Sequence, residues 1–258
     1  MRIENEQQRD GMRGVWTKVD GRRMYARTWA DAAPKDARQV VLVHGLGVSS
    51  RYMTPMAVRL ASRVRVYAPD LPGSGKSEKP PRVLDVPELA DALAAWLEAS
   101  RIERASFVAN SLGCQVTVDL AMRYPERVER LVLVSPTINR HNRSALRQFA
   151  AFLLDIPREP LSLLPLALFD YLTSGIFRGL RTLNHALLDR IEEKLPHVEA
   201  PALVVCGGRD PLVPDEWAAE VARLLPRGRL VLFPRAAHAV NYNSPDELAA
   251  VVLSFLET

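Results

Sequence analysis

The chain has 258 residues, which is enough for one large domain or for one domain that carries an insertion. Hydrophobic residues make up 48% and charged residues 25%, as is ordinary for a globular protein. The net charge of +4 comes mainly from scattered arginines, and no run of five or six like charges occurs, so no nucleic-acid-binding arm is expected.

The N-terminal residues, the apolar stretches and the cysteines bear on where the protein is located and on what it binds. Residues 1–8 are polar and lack the apolar core of a secretory signal, and no stretch of about 18 apolar residues could span a membrane. Cys114 and Cys206 show neither metal nor disulfide spacing and are expected to be buried free thiols. We therefore expect a cytoplasmic protein that needs no cofactor or metal and has no nucleic-acid or membrane partner.

The predicted elements begin with a hairpin and continue as alternating strands and helices. Residues 15–19 and 24–29 flank Asp20-Gly21 and predict an antiparallel hairpin. Short apolar, β-branched runs then predict buried parallel strands, which cover residues 40–43, 64–68, 105–109, 130–134, 202–206 and 229–233. This pattern predicts an α/β fold with a mostly parallel, doubly wound sheet.

Segments with the periodicity of amphipathic helices lie between these strands. Apolar residues recur at helical spacing over 89–97 and 217–225. The last helix is predicted to begin with Ser244 as its N-cap, Pro245 at its first position and Glu247 completing a capping box. Asp215 is likewise predicted to be a helix N-cap.

One segment interrupts the alternation. Residues 137–196 contain leucine-rich and phenylalanine-rich stretches with prolines between them, and no strand. They predict a helical insertion into a core formed by residues 1–136 and 197–258, with their apolar side chains facing the core and a pocket.

Ser111 lies where a predicted strand turns directly into a helix, with Ala109 and Gly113 two residues to either side. A tight, strained strand–helix turn needs small residues at these positions and pushes the side chain at its apex out of the sheet. Its hydroxyl then lies near the N–H groups at the helix start, which favour a developing negative charge. The commonest form of this motif has glycine where Ala109 stands.

Two later strands end in residues that would complete a catalytic triad. Asp210 follows the strand over 202–206, and His238 follows the strand over 229–233. A serine hydroxyl needs a base to become nucleophilic, and that base needs an acid to orient it. Asp215 is the rival acid, but its position suits a helix start, so Asp210 is the predicted partner of His238.

The order serine, aspartate, histidine, together with the strand leading into His44-Gly45-Leu46-Gly47, resembles the α/β-hydrolase superfamily. The resemblance extends from about Trp16 to the C-terminus. It implies that the segment 137–196 is a helical cap over the active site. It also implies an oxyanion hole formed by the backbone N–H groups of Leu46 and Leu112.

Two glycine-containing loops resemble nucleotide-binding motifs only in part. The loop after His44 lacks the third glycine of a dinucleotide fingerprint, and His44 itself is expected to stabilise the turn. The loop Asp70–Ser77 ends like a phosphate-binding loop, but Asp70 occupies the position of its first glycine and would repel a phosphate. Neither loop is therefore expected to bind a nucleotide, and the loop Asp70–Ser77 is expected to be structural.

A serine nucleophile favours attack on a carbonyl carbon, whereas members of this superfamily that act on saturated carbon use aspartate. The main prediction is a carboxylesterase-like hydrolase of a small to medium apolar ester. The runner-up is hydrolysis of a C–C bond in a ring-fission diketone, because Asn110 before the serine resembles such hydrolases, although Asn110 suits a turn residue better. That reaction needs a basic residue to hold the substrate carboxylate, with candidates Arg140, Arg143, Arg147, Arg178 and Arg181.

The sequence alone leaves two more functions open. One is a ligand receptor that keeps the triad but turns over little, and the second is transfer of the acyl group to an acceptor other than water. The substrate is not identified by the sequence, and a homo-oligomer is neither indicated nor excluded.

Overall fold

The computed structural model describes residues 11–258, so the N-terminal segment 1–8, predicted to lack a secretory signal, lies outside the described residues. The strands are β1 (Arg13–Val19), β2 (Arg22–Thr28), β3 (Gln39–Val43), β4 (Arg65–Pro69), β5 (Ala105–Asn110), β6 (Val128–Val134), β7 (Ala202–Gly207) and β8 (Gly228–Phe233). The α-helices are α1 (Thr54–Leu60), α2 (Val86–Ala99), α3 (Leu112–Arg123), α4 (Ala145–Asp155), α5 (Leu163–Ser174), α6 (Ile176–Leu188), α7 (Ile191–Lys194), α8 (Asp215–Leu224), α9 (Val240–Asn243) and α10 (Pro245–Glu257).

All eight strands form one sheet in the order β1-β2-β4-β3-β5-β6-β7-β8. The pairs β1–β2 and β2–β4 are antiparallel, and every other pair is parallel. The predicted mostly parallel, doubly wound sheet is confirmed. The hairpin is also as expected: Val19 pairs with Arg22, and the turn residues Asp20 and Gly21 both have positive φ (47° and 81°), as a type I′ turn requires.

Alternation along the central strands divides the core into two layers. Val41 and Val43 belong to a hydrophobic cluster with residues of α2, α3 and α8. Val40 and Leu42, which point to the other face, belong to a cluster with residues of α1 and α10. Both faces of the sheet are therefore covered, which explains why these strands are continuously apolar.

The helix starts differ in part from the sequence prediction. Ser244 is the N-cap of α10 and Pro245 its first residue, but the Ser244 hydroxyl donates to Asn243 and makes no capping bond, so the predicted capping box is wrong there. Asp215 is the first residue of α8 and the N-cap of that helix is Pro214, so the predicted N-cap lies one residue too late.

A complete capping box is found at the start of α2, where Asp85 accepts from the N–H of Glu88 at 2.9 Å and its own N–H donates to the Glu88 carboxylate at 3.0 Å.

The segment 137–196, predicted as the cap, holds α4 to α7 between β6 and β7. Ile191 and Leu195, near its end, are fully buried in the cluster that contains α3. The C-terminal part of the segment therefore packs with the core, whereas much of the surface of α4, α5 and α6 faces outward. Within residues 11–258, no helix combines the length and the apolar character needed to cross a membrane.

The capping box gives a stability prediction with a matched control. Replacing Asp85 with Ala should lower the free energy of unfolding by about 1 kcal/mol, because the N–H of Glu88 in the first turn of α2 loses its side-chain acceptor. Ser244→Ala removes an N-cap side chain that makes no capping bond and should cost clearly less. Urea unfolding followed by circular dichroism measures both values, and equal losses in the two variants would contradict the assignment.

Candidate active site

Ser111 occupies a strained turn between β5 and α3. Its backbone angles are φ 56° and ψ −123°, a conformation that costs a non-glycine residue about 1–3 kcal/mol and that the surrounding structure must impose. The residues two positions away are small for a steric reason. Ala109 is fully buried, and a Cβ added to Gly113 would lie 2.6 Å from the carbonyl oxygen of Val43.

The loop after β3 approaches the same turn. A Cβ at Gly45 would lie 3.1 Å from the Cβ of Ser111, so glycine lets the two chain segments come together. The next residue, Leu46, lines one cavity with Ser111 and Leu112. Leu112 is the first residue of α3, where a backbone N–H has no acceptor within the helix. Both residues expected to form the oxyanion hole are thus placed beside Ser111.

His238 and Asp210 are in contact. The Nδ1 atom of His238 lies 2.8 Å from Oδ2 of Asp210. The other oxygen of Asp210 accepts from the N–H groups of Leu212 and Val213 at 2.8 and 3.1 Å, which holds the carboxylate in place. The structure thus places the predicted acid, and not the rival Asp215, against the histidine.

Asn110 connects the serine turn to the histidine loop. Its side-chain amide donates to the carbonyl oxygens of Val134 and His238, each at 3.3 Å, and its Oδ1 accepts from the buried Tyr52 hydroxyl at 3.1 Å. The Ser111 hydroxyl lies 3.4 Å from the Thr137 hydroxyl, and Ser111 and His238 line the same cavity. Hydrogen bonds between catalytic groups are often long or misaligned before substrate binds, and they tighten in the complex.

Gly207 brings the histidine loop close to the end of β7. A Cβ at this position would lie 2.3 Å from the carbonyl oxygen of Ala237 and 2.5 Å from that of Ala236. Arg209, which precedes the acid, donates its N–H to Ala236 at 3.0 Å. In the sequence this glycine is visible only as a residue at the end of a strand.

His44 and the loop Asp70–Ser77 make structural contacts, as expected. The Nδ1 atom of buried His44 lies 2.8 Å from the carbonyl oxygen of Gly45, and its Nε2 accepts from the N–H of Leu71 at 3.0 Å. Burial lowers the pKa of His44, despite the nearby charge of Asp70. The carboxylate of Asp70 accepts from the N–H groups of Ser50 and Lys76 at 2.7 and 2.8 Å, which ties its loop to the preceding one.

Two acids from the segment 137–196 bind the backbone of the histidine loop, and neither was predicted from the sequence. Asp155, at the end of α4, accepts from the N–H of His238 at 3.3 Å, and Glu159 accepts from the N–H of Ala239 at 2.6 Å. Glu159 also accepts from Asn243 at 3.1 Å. The signal available in the sequence was that these two acids, four residues apart, are the only acids of residues 145–169.

The pKa values in the site reflect burial and these neighbouring charges. Burial raises the pKa of Asp155, and it raises that of Glu159 to about 7 despite the hydrogen bond from Ala239. For His238, burial acts to lower the pKa. The charge of Asp210 and the hydrogen bond to it outweigh that effect, with smaller contributions from Asp155 and Glu159, and raise the pKa to about 9.

The cavity beside Ser111 has a volume of about 310 Å³ and is predominantly apolar. The charged groups that line it are Asp155 and Glu159, together with the imidazole of His238, and it has no arginine or lysine among its described lining residues. Residues of α4, α5 and α6 form much of its wall. The serine turn, the histidine loop and the segment 137–196 therefore enclose one site.

Both cysteines are buried free thiols, as predicted. Cys114 lies in the first turn of α3 and donates to the carbonyl of Ala109 at 3.3 Å, and burial raises its pKa well above the ordinary value. Burial also raises the pKa of Cys206. Neither thiol is a candidate nucleophile, because the reactive form of a thiol is the thiolate.

The fold and this arrangement define the class of protein. A model of the alpha/beta hydrolase family matches residues 40–251, most of the chain. The chain therefore belongs to the α/β-hydrolase family, and the resemblance noted from its motifs is confirmed.

The chain is also similar to proteins of known sequence along most of its length. A protein of Yersinia enterocolitica named "Putative carbamate hydrolase RutD" is 30% identical over 246 residues, covering 85% of this chain and 87% of the relative. The dihydrolipoyllysine-residue acetyltransferase component of an acetoin cleaving system from Pseudomonas putida is 29% identical and covers 88% of this chain and 66% of that protein.

Solved structures share the fold. The enol-lactonase of Burkholderia xenovorans LB400 superposes with a TM-score of 0.81 at 22% identity, covering 94% of this chain and all of the lactonase. A bacterial membrane phospholipase A superposes with a TM-score of 0.83 at 22% identity, covering 96% of this chain and 86% of that one. At this level of identity the likeness concerns the fold alone.

The contact of Glu159 with the histidine loop predicts a change in the titration of His238. Glu159→Gln removes a negative charge that stabilises the imidazolium, so the pKa of His238 should fall below its wild-type value. It is measured by NMR titration of the histidine ring carbons, with the His238 signal assigned from its loss in His238→Gln.

Glu220→Gln is the matched control, because Glu220 is as buried as Glu159 (9% exposed each) but contacts His141. It should leave the titration of His238 unchanged. Equal His238 titrations in Glu159→Gln and the wild type would show that the Glu159 charge does not reach the imidazole.

Proposed function

We propose that this protein is a serine hydrolase that cleaves small to medium, uncharged esters through a triad of Ser111, His238 and Asp210. The observation that carries the proposal is the 2.8 Å contact between His238 and Asp210, at a cavity whose wall also contains Ser111 at the apex of a strained strand–helix turn. The family membership supports the hydrolase class, and the residue types support the serine mechanism.

In the first half of the reaction, the Ser111 hydroxyl attacks the ester carbonyl carbon and its proton passes to Nε2 of His238. The carbonyl oxygen becomes an oxyanion, which accepts from the backbone N–H groups of Leu46 and Leu112. The C–O bond to the leaving group then breaks, and His238 gives its proton to the departing alcohol. Asp210 stabilises the imidazolium and fixes which ring nitrogen carries the proton.

In the second half, water replaces the alcohol. His238 takes a proton from the water as its oxygen attacks the acyl carbon, and the same N–H groups stabilise the second oxyanion. Breakdown releases the acid and returns the proton to Ser111. Net consumption is one ester and one water.

The cavity supports an uncharged substrate. Its lining is predominantly apolar, and the acids among its lining residues would oppose a substrate carboxylate. A volume of about 310 Å³ lies at the small end of ligand pockets, which fits a short or medium acyl group.

The same lining disfavours the C–C bond hydrolase. That reaction needs a cation to hold a substrate carboxylate, and none of the five candidate arginines is among the described residues of the cavity wall. Arg143 binds Glu192, and Arg178 donates to the carbonyl of Pro80. Asn110, which suggested that reaction, makes three hydrogen bonds that hold the site together.

A carbamate ester is a second candidate substrate, because the relatives named as carbamate hydrolases are 29–30% identical over most of the chain. Its carbonyl would undergo the same attack by Ser111. An uncharged carbamate ester also suits the apolar cavity, whereas an anionic carbamate would face Asp155 and Glu159.

Replacing Ser111 with Ala should abolish turnover, since the nucleophile is lost, while the fold is kept. The measurement is p-nitrophenol release from acetate, butyrate and octanoate esters and from a p-nitrophenyl carbamate, with circular dichroism as the folding check. Ser135→Ala is the matched control, because Ser135 is a buried serine that shares the positive φ of Ser111 (49°). It should retain activity, and turnover that persists in Ser111→Ala would overturn the serine mechanism.

The same assay separates the ligand receptor and the acyl transferase from the hydrolase. A folded wild type without turnover of any ester or carbamate would favour the ligand receptor. Faster p-nitrophenol release on addition of a small alcohol, with formation of the transferred ester, would indicate acyl transfer to an acceptor other than water.

Asp210→Asn should lower kcat by about 10³–10⁴ with little change in KM, because the imidazole loses the charge that stabilises its protonated form and the group that fixes its tautomer. Asp215→Asn, five residues away and outside the contact with His238, should retain kcat within a few-fold. Near-normal kcat in Asp210→Asn would show that another acid serves His238.

A further inference from the structure

Exposed large apolar side chains are concentrated in one part of the described chain. Fourteen of the sixteen that the described residues contain lie between Leu146 and Leu188, and the two others are Val58 and Leu232. The most exposed are Phe177 (84%), Leu161 (82%) and Leu146 (76%). A concentration of this kind is unusual on a globular monomer and indicates a surface that binds something apolar.

The exposed residues form stripes along helices that pack on each other. Positions three or four residues apart share one face of a helix. By that spacing α4 exposes Leu146, Phe149 and Leu153; α5 exposes Leu164, Leu168 and Leu172; α6 exposes Ile176, Leu180 and Leu188. Because α6 packs against both α4 and α5, these stripes adjoin, and together with Leu161 and Phe177 we call them the apolar cap face.

Between residues 145 and 188 the acidic side chains are buried, whereas the exposed charged side chains are basic. The acids of this range are Asp155, Glu159 and Asp170, and all three are buried. Asp170 accepts from the Ser49 hydroxyl at 2.7 Å. The exposed charged residues of the same range are Arg147, Arg158 and Arg181, so every exposed charge on these helices is positive.

The cavity of the candidate active site reaches this face. Phe149, Leu164, Ile176 and Leu180 line the cavity and are also exposed in the stripes. A surface that covers the apolar cap face would therefore lie against the opening of the cavity.

We propose that the apolar cap face binds the surface of an anionic lipid bilayer, with leucine and phenylalanine side chains entering the interface and the arginines contacting anionic headgroups. Apolar residues combined with a basic border are the pattern of helices that lie in a membrane interface. The binding does not depend on the hydrolase activity. It departs from the expectation of no membrane partner, which rested on the lack of a spanning segment, and peripheral binding needs none.

Charge complementarity favours a bilayer over a second copy of the chain. A symmetric dimer would bring two copies of the same face together, with arginines near arginines and no exposed acid on either face to pair with them. An anionic bilayer supplies negative charge at the border and an apolar interior at the centre.

The experiment is flotation of the full-length protein with vesicles of pure phosphatidylcholine or of phosphatidylcholine and phosphatidylglycerol in equal parts. Binding should be at least tenfold stronger to the anionic vesicles and should weaken in 0.5 M NaCl. Leu146→Gln/Leu161→Gln/Phe177→Gln should lose binding at least tenfold to both, since less apolar area enters the interface. None of these three residues lines the cavity, so ester hydrolysis in solution should be unchanged.

Arg147→Gln/Arg181→Gln should weaken binding to anionic vesicles by about 25-fold and leave binding to phosphatidylcholine unchanged. Arg227→Gln/Arg229→Gln is the matched control, because these arginines are also exposed but lie beside and in β8, outside the cap, and it should bind like wild type. Val58→Gln/Leu232→Gln is the apolar control and should also bind like wild type.

Sedimentation equilibrium tests whether a second copy of the chain, and not a bilayer, covers the apolar cap face. The protein should be a monomer at micromolar concentration. A dimer that the triple glutamine variant dissociates would assign the face to a second copy and overturn the proposal. Absence of flotation with both vesicle types, or equal binding of wild type and triple variant, would overturn it as well.

Discussion

The backbone turn at Ser111 can exist only because two other chain segments come unusually close to it. Gly113 leaves no room for a Cβ beneath the carbonyl of Val43, and Gly45 brings the loop after β3 against the serine itself. The positive φ of Ser111 is held by the packing of β5, β3 and α3. One steric constraint thus sets the direction of the serine side chain and brings Leu46 and Leu112 to the wall of the same cavity.

Carboxylates hold His238 and its loop in place. Asp210 lies on one side of His238, and Asp155 and Glu159 bind the backbone of its loop from the segment 137–196. The histidine is therefore attached both to the sheet, through β7, and to the helices above it. Any movement of α4 relative to the sheet would change the electrostatic surroundings of the imidazole, because negative charge near His238 stabilises its protonated form.

The helices of the segment 137–196 contribute to two surfaces, the inner one at the candidate active site and the outer apolar cap face. Their acids turn inward, where they accept hydrogen bonds from the histidine loop and from Ser49, and much of their apolar surface remains outside. The sequence predicted that this apolar surplus would face the core and the pocket. In the structure only part of it does so: Phe149 and Leu180 line the cavity and are still more than half exposed, because three short helices cannot bury apolar residues on every side.

The sequence by itself determined the sheet, the two-sided burial of its strands and the order of Ser111, Asp210 and His238, because these depend on local periodicity and on where each strand ends. It could not place the capping box, since Ser244 and Asp85 are both followed three residues later by glutamate and only the packed chain decides which pair forms. Nor could it find Asp155, Glu159 or Gly207, whose roles arise from contacts about 30 to 83 residues away in the chain. Those contacts exist only after the helices of the segment 137–196 settle over the carboxyl edge of the sheet, and burial there decides which acids lie beside the histidine.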